Sequence, residues 1–211
     1  MPQSRIQIQV WTARFLGTRE HCYDFLDLID TFAGGALKPA RWNYFEPLQQ
    51  SYTCESQPKI VSRWTHERSP GWVSNLLFFR RKKPRVEIAL DIWRSSRPLL
   101  NSAHITLAAN SFRDPDMIVH LVKKLIGWSN AVYATVRHTD QQLWLVAQLT
   151  PLARLQQLEW LTYFGQPYVL MFGEDRIRTA GFHALEDFGG GIMALSAGRP
   201  DDHGLARISH Q

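Results

Sequence analysis

The sequence predicts an α+β fold: a largely antiparallel sheet with about three amphipathic helices packed on it. Three observations carry this. Apolar and polar residues alternate in several short runs, the period of half-buried strands. Other segments repeat their apolar residues every three or four positions, the period of a helix with one buried face. The clearest strand pair, Trp72 to Phe79 and Val86 to Trp93, is joined by a short basic turn that only an antiparallel hairpin can use.

Taken in order, Ile6, Ile8 and Val10 alternate with Gln7, Gln9 and Trp11, which predicts a strand with one apolar face. Thr18 is placed to cap a helix from Arg19 to Ala33. Cys22, Phe25, Leu26, Ile29, Phe32 and Ala33 form its apolar stripe, Asp24, Asp27 and Asp30 lie off it, and Gly34-Gly35 stops it. Leu37 to Pro70 reads as irregular, punctuated by Pro39, Pro47, Pro58 and Pro70. A loop of that length is usually functional or hides short strands.

In the hairpin, Val86, Ile88, Leu90 and Ile92 share one face, and Glu87, Ala89, Asp91 and Trp93 the other. Ala103 to Ala109 is the next predicted strand. Asp114 and Pro115 then open a second helix whose broad apolar face runs from Ile118 to Ile126, closed by Lys123-Lys124 and Gly127. Strands are expected at Ala131 to Arg137 and Leu143 to Val146, and a third helix from Pro151 to Phe164. Beyond Gly165 and Pro167, Tyr168 to Phe172 reads as extended, followed by a short helical piece around Glu174 to Ile177. Phe182 to Glu186 and Ile192 to Ser196 pair across Gly189-Gly190-Gly191. No linker divides the chain, so residues 1–200 are expected to form one domain, with 201–211 a polar tail.

At 211 residues, 45% hydrophobic and 20% charged, the chain has the balance of an ordinary globular protein. Eight Trp, eleven Phe and six Tyr supply core and, where exposed, interface anchors. The net charge of +5 permits acidic partners, but the basic residues are scattered, so nucleic acid is permitted and not favoured. Cys22 falls on a helix's apolar face and reads as a small hydrophobe. The N-terminus lacks the regions of a signal peptide, and no run approaches the length of a membrane span; a cytoplasmic location is expected.

Reactive constellations are thin. Glu87 and Asp91 share a strand face but stand roughly 14 Å apart, beyond the reach of a glycosidase pair. Asp91, Ser102 and His104 can be drawn as a triad across neighbouring strands, yet no nucleophile elbow or oxyanion hole accompanies them. His66-Glu67 and Asp201-Asp202-His203 lack a second ligand set at fixed spacing. The glycine run has neither the lysine nor the following helix of a phosphate loop. None of these constellations offers a catalytic, metal or cofactor site.

Pro39-Ala40-Arg41-Trp42 after the first helix, Glu46-Pro47 soon after, the central hairpin, Gly165-Gln166-Pro167-Tyr168, Phe172-Gly173 and the late glycine-rich strand pair together resemble the immunity protein 52 family of bacterial polymorphic-toxin systems. The likeness spans most of residues 5 to 200. It implies a cytoplasmic, non-enzymatic protein that binds and neutralises a cognate toxin from an adjacent gene, without cofactor. The basic charge differs from the acidic character common among nuclease-neutralising immunity proteins. The alternative is a basic nucleic-acid-binding accessory protein.

Two surfaces are expected to meet the partner. One is the hairpin tip with Arg80, Arg81 and Lys82, suited to steering. The other is the aromatic loop with Arg41, Tyr44 and Phe45, since loops on a rigid scaffold and Arg and Tyr side chains are the usual carriers of recognition. Trp42 is expected to be buried against the sheet or first helix.

Overall fold

The computed structural model describes residues 5–67, 71–80, 82–94, 100–109, 114–139 and 159–198. The expected strand at 143–146, the start of the third helix, Arg81 and the tail at 201–211 lie outside them.

The architecture is α+β, built on one open antiparallel sheet. Its strands are β1 (Arg5–Thr12), β2 (Arg41–Asn43), β3 (Gln50–Ser51), β4 (Trp72–Arg80), β5 (Val86–Trp93), β6 (Asn101–Ala108), β7 (Tyr133–Thr139), β8 (Leu161–Phe164), β9 (Ala184–Phe188) and β10 (Gly191–Leu195). Among the described residues they lie in the order β3-β2-β4-β5-β6-β1-β7-β8-β10-β9, and each neighbouring pair is antiparallel.

The helices are α1 (Arg19–Thr31), α2 (Gln57–Thr65), α3 (Pro115–Ser129), α4 (Gln166–Phe172) and α5 (Glu174–Arg178). α1 begins where its cap predicts, the His21 amide donating to the Thr18 hydroxyl at 3.2 Å, and its end leads into Gly34 and Gly35, both at positive φ. α3 opens on Asp114, whose carboxylate accepts from the Asp116 amide at 2.9 Å. It runs through Gly127 to Ser129, past the expected stop, and ends on Asn130 in the left-handed region.

α1, α2 and α3 cover one sheet face. Phe25 sits in the middle, its ring 4.8 Å from Trp128 of α3 and 5.7 Å from Trp64 of α2. Burying such a ring contributes about 1.5–3 kcal/mol. Ile8, Val10, Phe78, Ile88, Leu90 and Ile105 supply the sheet side of this core, and Trp42 and Cys22 join it as expected. Burial pushes the Cys22 thiol well above its usual range.

Three local expectations are corrected. The stretch from Leu37 to Pro70 holds α2, a complete amphipathic turn set with Ile60, Val61 and Trp64 buried; Pro58, read as punctuation, lies in its first turn, where proline is tolerated. Leu161–Phe164, expected to end a helix, is strand β8, paired on both edges by β7 and β10. Tyr168 to Phe172, expected extended, belongs to helix α4. Gly165 is its N-cap and Pro167 falls in its first turn, so the glycine and proline open a helix here instead of closing one.

β1 also departs from the half-buried reading. Gln7 and Gln9, on the side away from the helices, are buried as well. Gln9 is 2% exposed, because β1 is an interior strand and its neighbours' side chains close over it.

Candidate functional site

Strand periodicity and antiparallel register together decide which residues share a surface. On the face away from the core helices, cross-strand partners line up as Arg41, Phe79, Glu87, Thr106, Gln7 and Arg137. Arg85 lies over the Phe79 ring at 5.4 Å and donates to Glu87 at 2.9 Å. Arg5 reaches the other Glu87 oxygen at 3.4 Å, while Arg137 donates to the Gln7 side-chain oxygen at 2.7 Å through Nε. Burial lowers the Arg137 pKa, and Glu159 partly offsets that. This end of the sheet is basic with a single buried carboxylate at its centre.

The five described residues of the two expected partner surfaces, Arg41, Tyr44, Phe45, Arg80 and Lys82, are dispersed. Arg41 is exposed beside Phe79 and donates to the Leu48 carbonyl at 3.4 Å. Tyr44 turns the opposite way, to the helix side, where the Arg63 guanidinium of α2 stacks on it at 4.9 Å. Phe45 packs edge-on to Tyr44 at 4.5 Å and remains 48% exposed. Arg80 is not part of a free tip. Its guanidinium donates to the carbonyls of Gly35 at 2.7 Å and Lys38 at 3.2 Å, clipping the exit of α1 to the hairpin. Lys82 is exposed at the turn with Lys83, and Arg81 is outside the described residues.

The imagined triad is half present. Ser102 Oγ and His104 Nε2 are 3.0 Å apart. Asp91 is the cross-strand partner of Ser102, not of His104, and Ser102 is 2% exposed. Trp11 stands edge-on to the His104 ring at 6.0 Å. Burial raises Asp91 to about 6. The serine is sealed, and Asp91 is paired in register with the serine and not with the imidazole, so the arrangement reads as a polar packing layer. Among the described residues, no cluster of His, Cys, Asp and Glu is placed to hold a metal ion.

No protein-family model matches the chain, and no curated protein matches it. In fold it is similar to a solved structure. That structure is the Pseudomonas aeruginosa T6SS protein PA0821, with a TM-score of 0.59 at 15% identity, covering 94% of this chain and 69% of the other. At such identity the likeness is one of fold, and the sequence resemblance to the immunity protein 52 family rests on its motifs alone. Among the described residues no helix is long and apolar enough to cross a membrane.

A further surface was not legible in the sequence. α1 and α3 leave between them a groove of about 820 Å³. Glu20, Asp24 and Asp27 stand along one wall and Met117 and Lys124 along the other, over a floor that includes Phe32 and Trp128. The Trp128 indole donates to the His21 carbonyl at 3.0 Å, and Phe32 stacks on His120 at 5.8 Å. The walls come from segments almost a hundred residues apart, so no local pattern announces the groove. The one local signal was the run of carboxylates off the apolar stripe of α1.

Proposed function

We propose that this chain is a non-enzymatic immunity protein that binds and neutralises a toxin or effector of an interbacterial secretion system, encoded by an adjacent gene. The observation that carries the reading is the fold likeness to a T6SS protein over 94% of the chain, joined to the motif order that resembles immunity protein 52. The chemistry of the described surfaces agrees with binding. Arg41 at the start of β2, Phe45 just after it and Lys82 at the hairpin turn are exposed, while the Ser102 hydroxyl is shut away from substrate. Neutralisation is stoichiometric: the protein occludes the effector or traps it in an inactive form.

Several cations at the basic end are committed internally. Arg5 and Arg85 pair with Glu87 and Arg80 with backbone carbonyls, which leaves little of a continuous stripe for a phosphate backbone.

Co-expression with the product of the adjacent gene is the test. Growth rescue and copurification of a stable complex are expected. An adjacent product that neither binds nor is neutralised, with salt-sensitive binding to duplex or single-stranded nucleic acid instead, would replace this reading with that of an accessory nucleic-acid-binding protein.

A further inference from the structure

We propose that the groove between α1 and α3 is a docking site for a cationic amphipathic segment of a protein partner. That the partner is the neutralised effector rests on the reading above. On a chain of net charge +5, the α1 wall of this groove carries three carboxylates, while Arg14 and Lys124 also line it. Glu20, Asp24 and Asp27 sit on successive turns of α1, all exposed, and none makes an ion pair among the described residues. The next carboxylate along, Asp30, is by contrast engaged by Lys38 at 3.8 Å. Lys124 lines the facing wall and does not reach across to any of the three. The groove therefore holds open a row of charge that the protein could have closed on itself.

The floor supplies the second half of the recognition. Phe32, Trp128 and Met117 offer apolar surface beneath the acidic wall. Gly127, on the α3 wall, has nothing within 4 Å of where a Cβ would stand, so a segment can approach the helix backbone there. His21, which also lines the groove, is only 6% exposed, yet its Nε2 has no hydrogen-bond partner. Its Nδ1 is already taken by the Thr18 hydroxyl at 2.7 Å. That nitrogen is itself fully buried, so it belongs to the packing beneath the groove, and recognition rests on the acidic wall and the apolar floor.

Size and spacing fix the class of partner. The volume lies within the range of ligand pockets, about 300–1,000 Å³. From Glu20 to Asp27 the wall rises about 10 Å at 1.5 Å per residue, which matches Lys or Arg side chains over two helical turns with apolar side chains between them. A nucleic-acid backbone is repelled by the same wall.

The test uses the full chain and a fluorescein-labelled fourteen-residue helical peptide with Lys on one face and Leu on the other, beside its counterpart with Glu for Lys. The Lys peptide is expected to bind and the Glu peptide not to. D24K/D27K should weaken the Lys peptide at least tenfold, and D24N/D27N severalfold, with melting unchanged in the Asn pair as the control for folding. Equal binding of both peptides, or of wild type and D24K/D27K, overturns the proposal. Copurification with the effector separates the two readings. Undiminished effector affinity in a folded D24N/D27N variant overturns this docking site and leaves the immunity reading intact. Charge-dependent peptide binding by a chain that holds no effector supports the docking site and ends the immunity reading.

Discussion

The indole N–H of Trp64 donates to the backbone carbonyl of Leu16 at 2.6 Å, both groups buried. This bond ties α2 to the link between β1 and α1, forty-eight residues earlier in the chain. It explains why a segment that reads as a proline-broken loop is a fixed part of the core. Trp64→Phe keeps the packing and strands the carbonyl, so a loss of about 1–3 kcal/mol is expected. Trp64→Ala also opens a cavity and should cost about 3–5 kcal/mol. Urea denaturation of the two variants measures the difference. A Trp64→Phe variant as stable as wild type would show that the hydrogen bond contributes nothing beyond packing.

Arg80 and Lys82 sit two residues apart and should behave differently. Arg80→Met removes the donors to Gly35 and Lys38, so stability should fall by about 1–3 kcal/mol while the association rate with a partner stays near wild type. Lys82→Glu, paired with Lys83→Glu, should leave the melting temperature within a degree or two, as exposed substitutions commonly do, and lower the association rate if the hairpin tip steers encounter. Stopped-flow kinetics at two salt concentrations distinguishes the roles. A slowed on-rate in Arg80→Met with full stability would reverse them.

Asp91 predicts a pH dependence. Burial raises its carboxyl from an ordinary 3.8 to about 6, so between those values the folded chain binds more protons than the unfolded one. Stability from this group is therefore full below about pH 4 and lost as pH rises through about 6. Its partial exposure limits the effect to about 1–2 kcal/mol. Asp91→Asn should be more stable than wild type at pH 7 and should flatten this part of the stability profile. Thermal melts from pH 4 to 7 provide the check; parallel profiles for the two proteins would contradict the assignment.

Gly165 is required by close approach. A Cβ there would lie 2.6 Å from the Val132 carbonyl oxygen and 2.9 Å from the Val132 Cα, and the Gly165 amide donates to that same carbonyl at 2.9 Å. Backbone atoms cannot step aside as a side chain can, so Gly165→Ala should cost at least the 1–3 kcal/mol or so typical of overpacking. Gly127→Ala, in open space on a helix, should instead stabilise by about 0.5–1 kcal/mol. Chemical denaturation of both variants tests the contrast, and a neutral Gly165→Ala would mean that β8 and the turn before β7 can separate freely.

The candidate partner surface was only partly legible. Arg41, Tyr44 and Phe45 were singled out by residue type, but register sends Arg41 to one side of the sheet and Tyr44 to the other. Arg80 was grouped with the turn because it adjoins Arg81 and Lys82, yet strand alternation points it back to the exit of α1. The acidic wall of α1 was visible as off-stripe carboxylates, whereas the groove it borders depends on where α3 packs.

By itself the sequence determined the elements whose signals are local. Thr18 and Asp114 caps, the three- and four-residue spacing on α1 and α3, and the alternation through Val86 to Trp93 all act within a few residues of chain. Their free energy differences are therefore written in short segments. Only the tertiary structure decided the rest. Tyr168 to Phe172 becomes helix because α4 can bury Tyr168 and Val169 against Tyr133, Phe164 and Ile192. Leu161 to Phe164 becomes strand because β7 and β10 offer it two edges. Short apolar runs satisfy either period, and the choice falls to whichever non-local neighbours bury them while pairing their backbone groups.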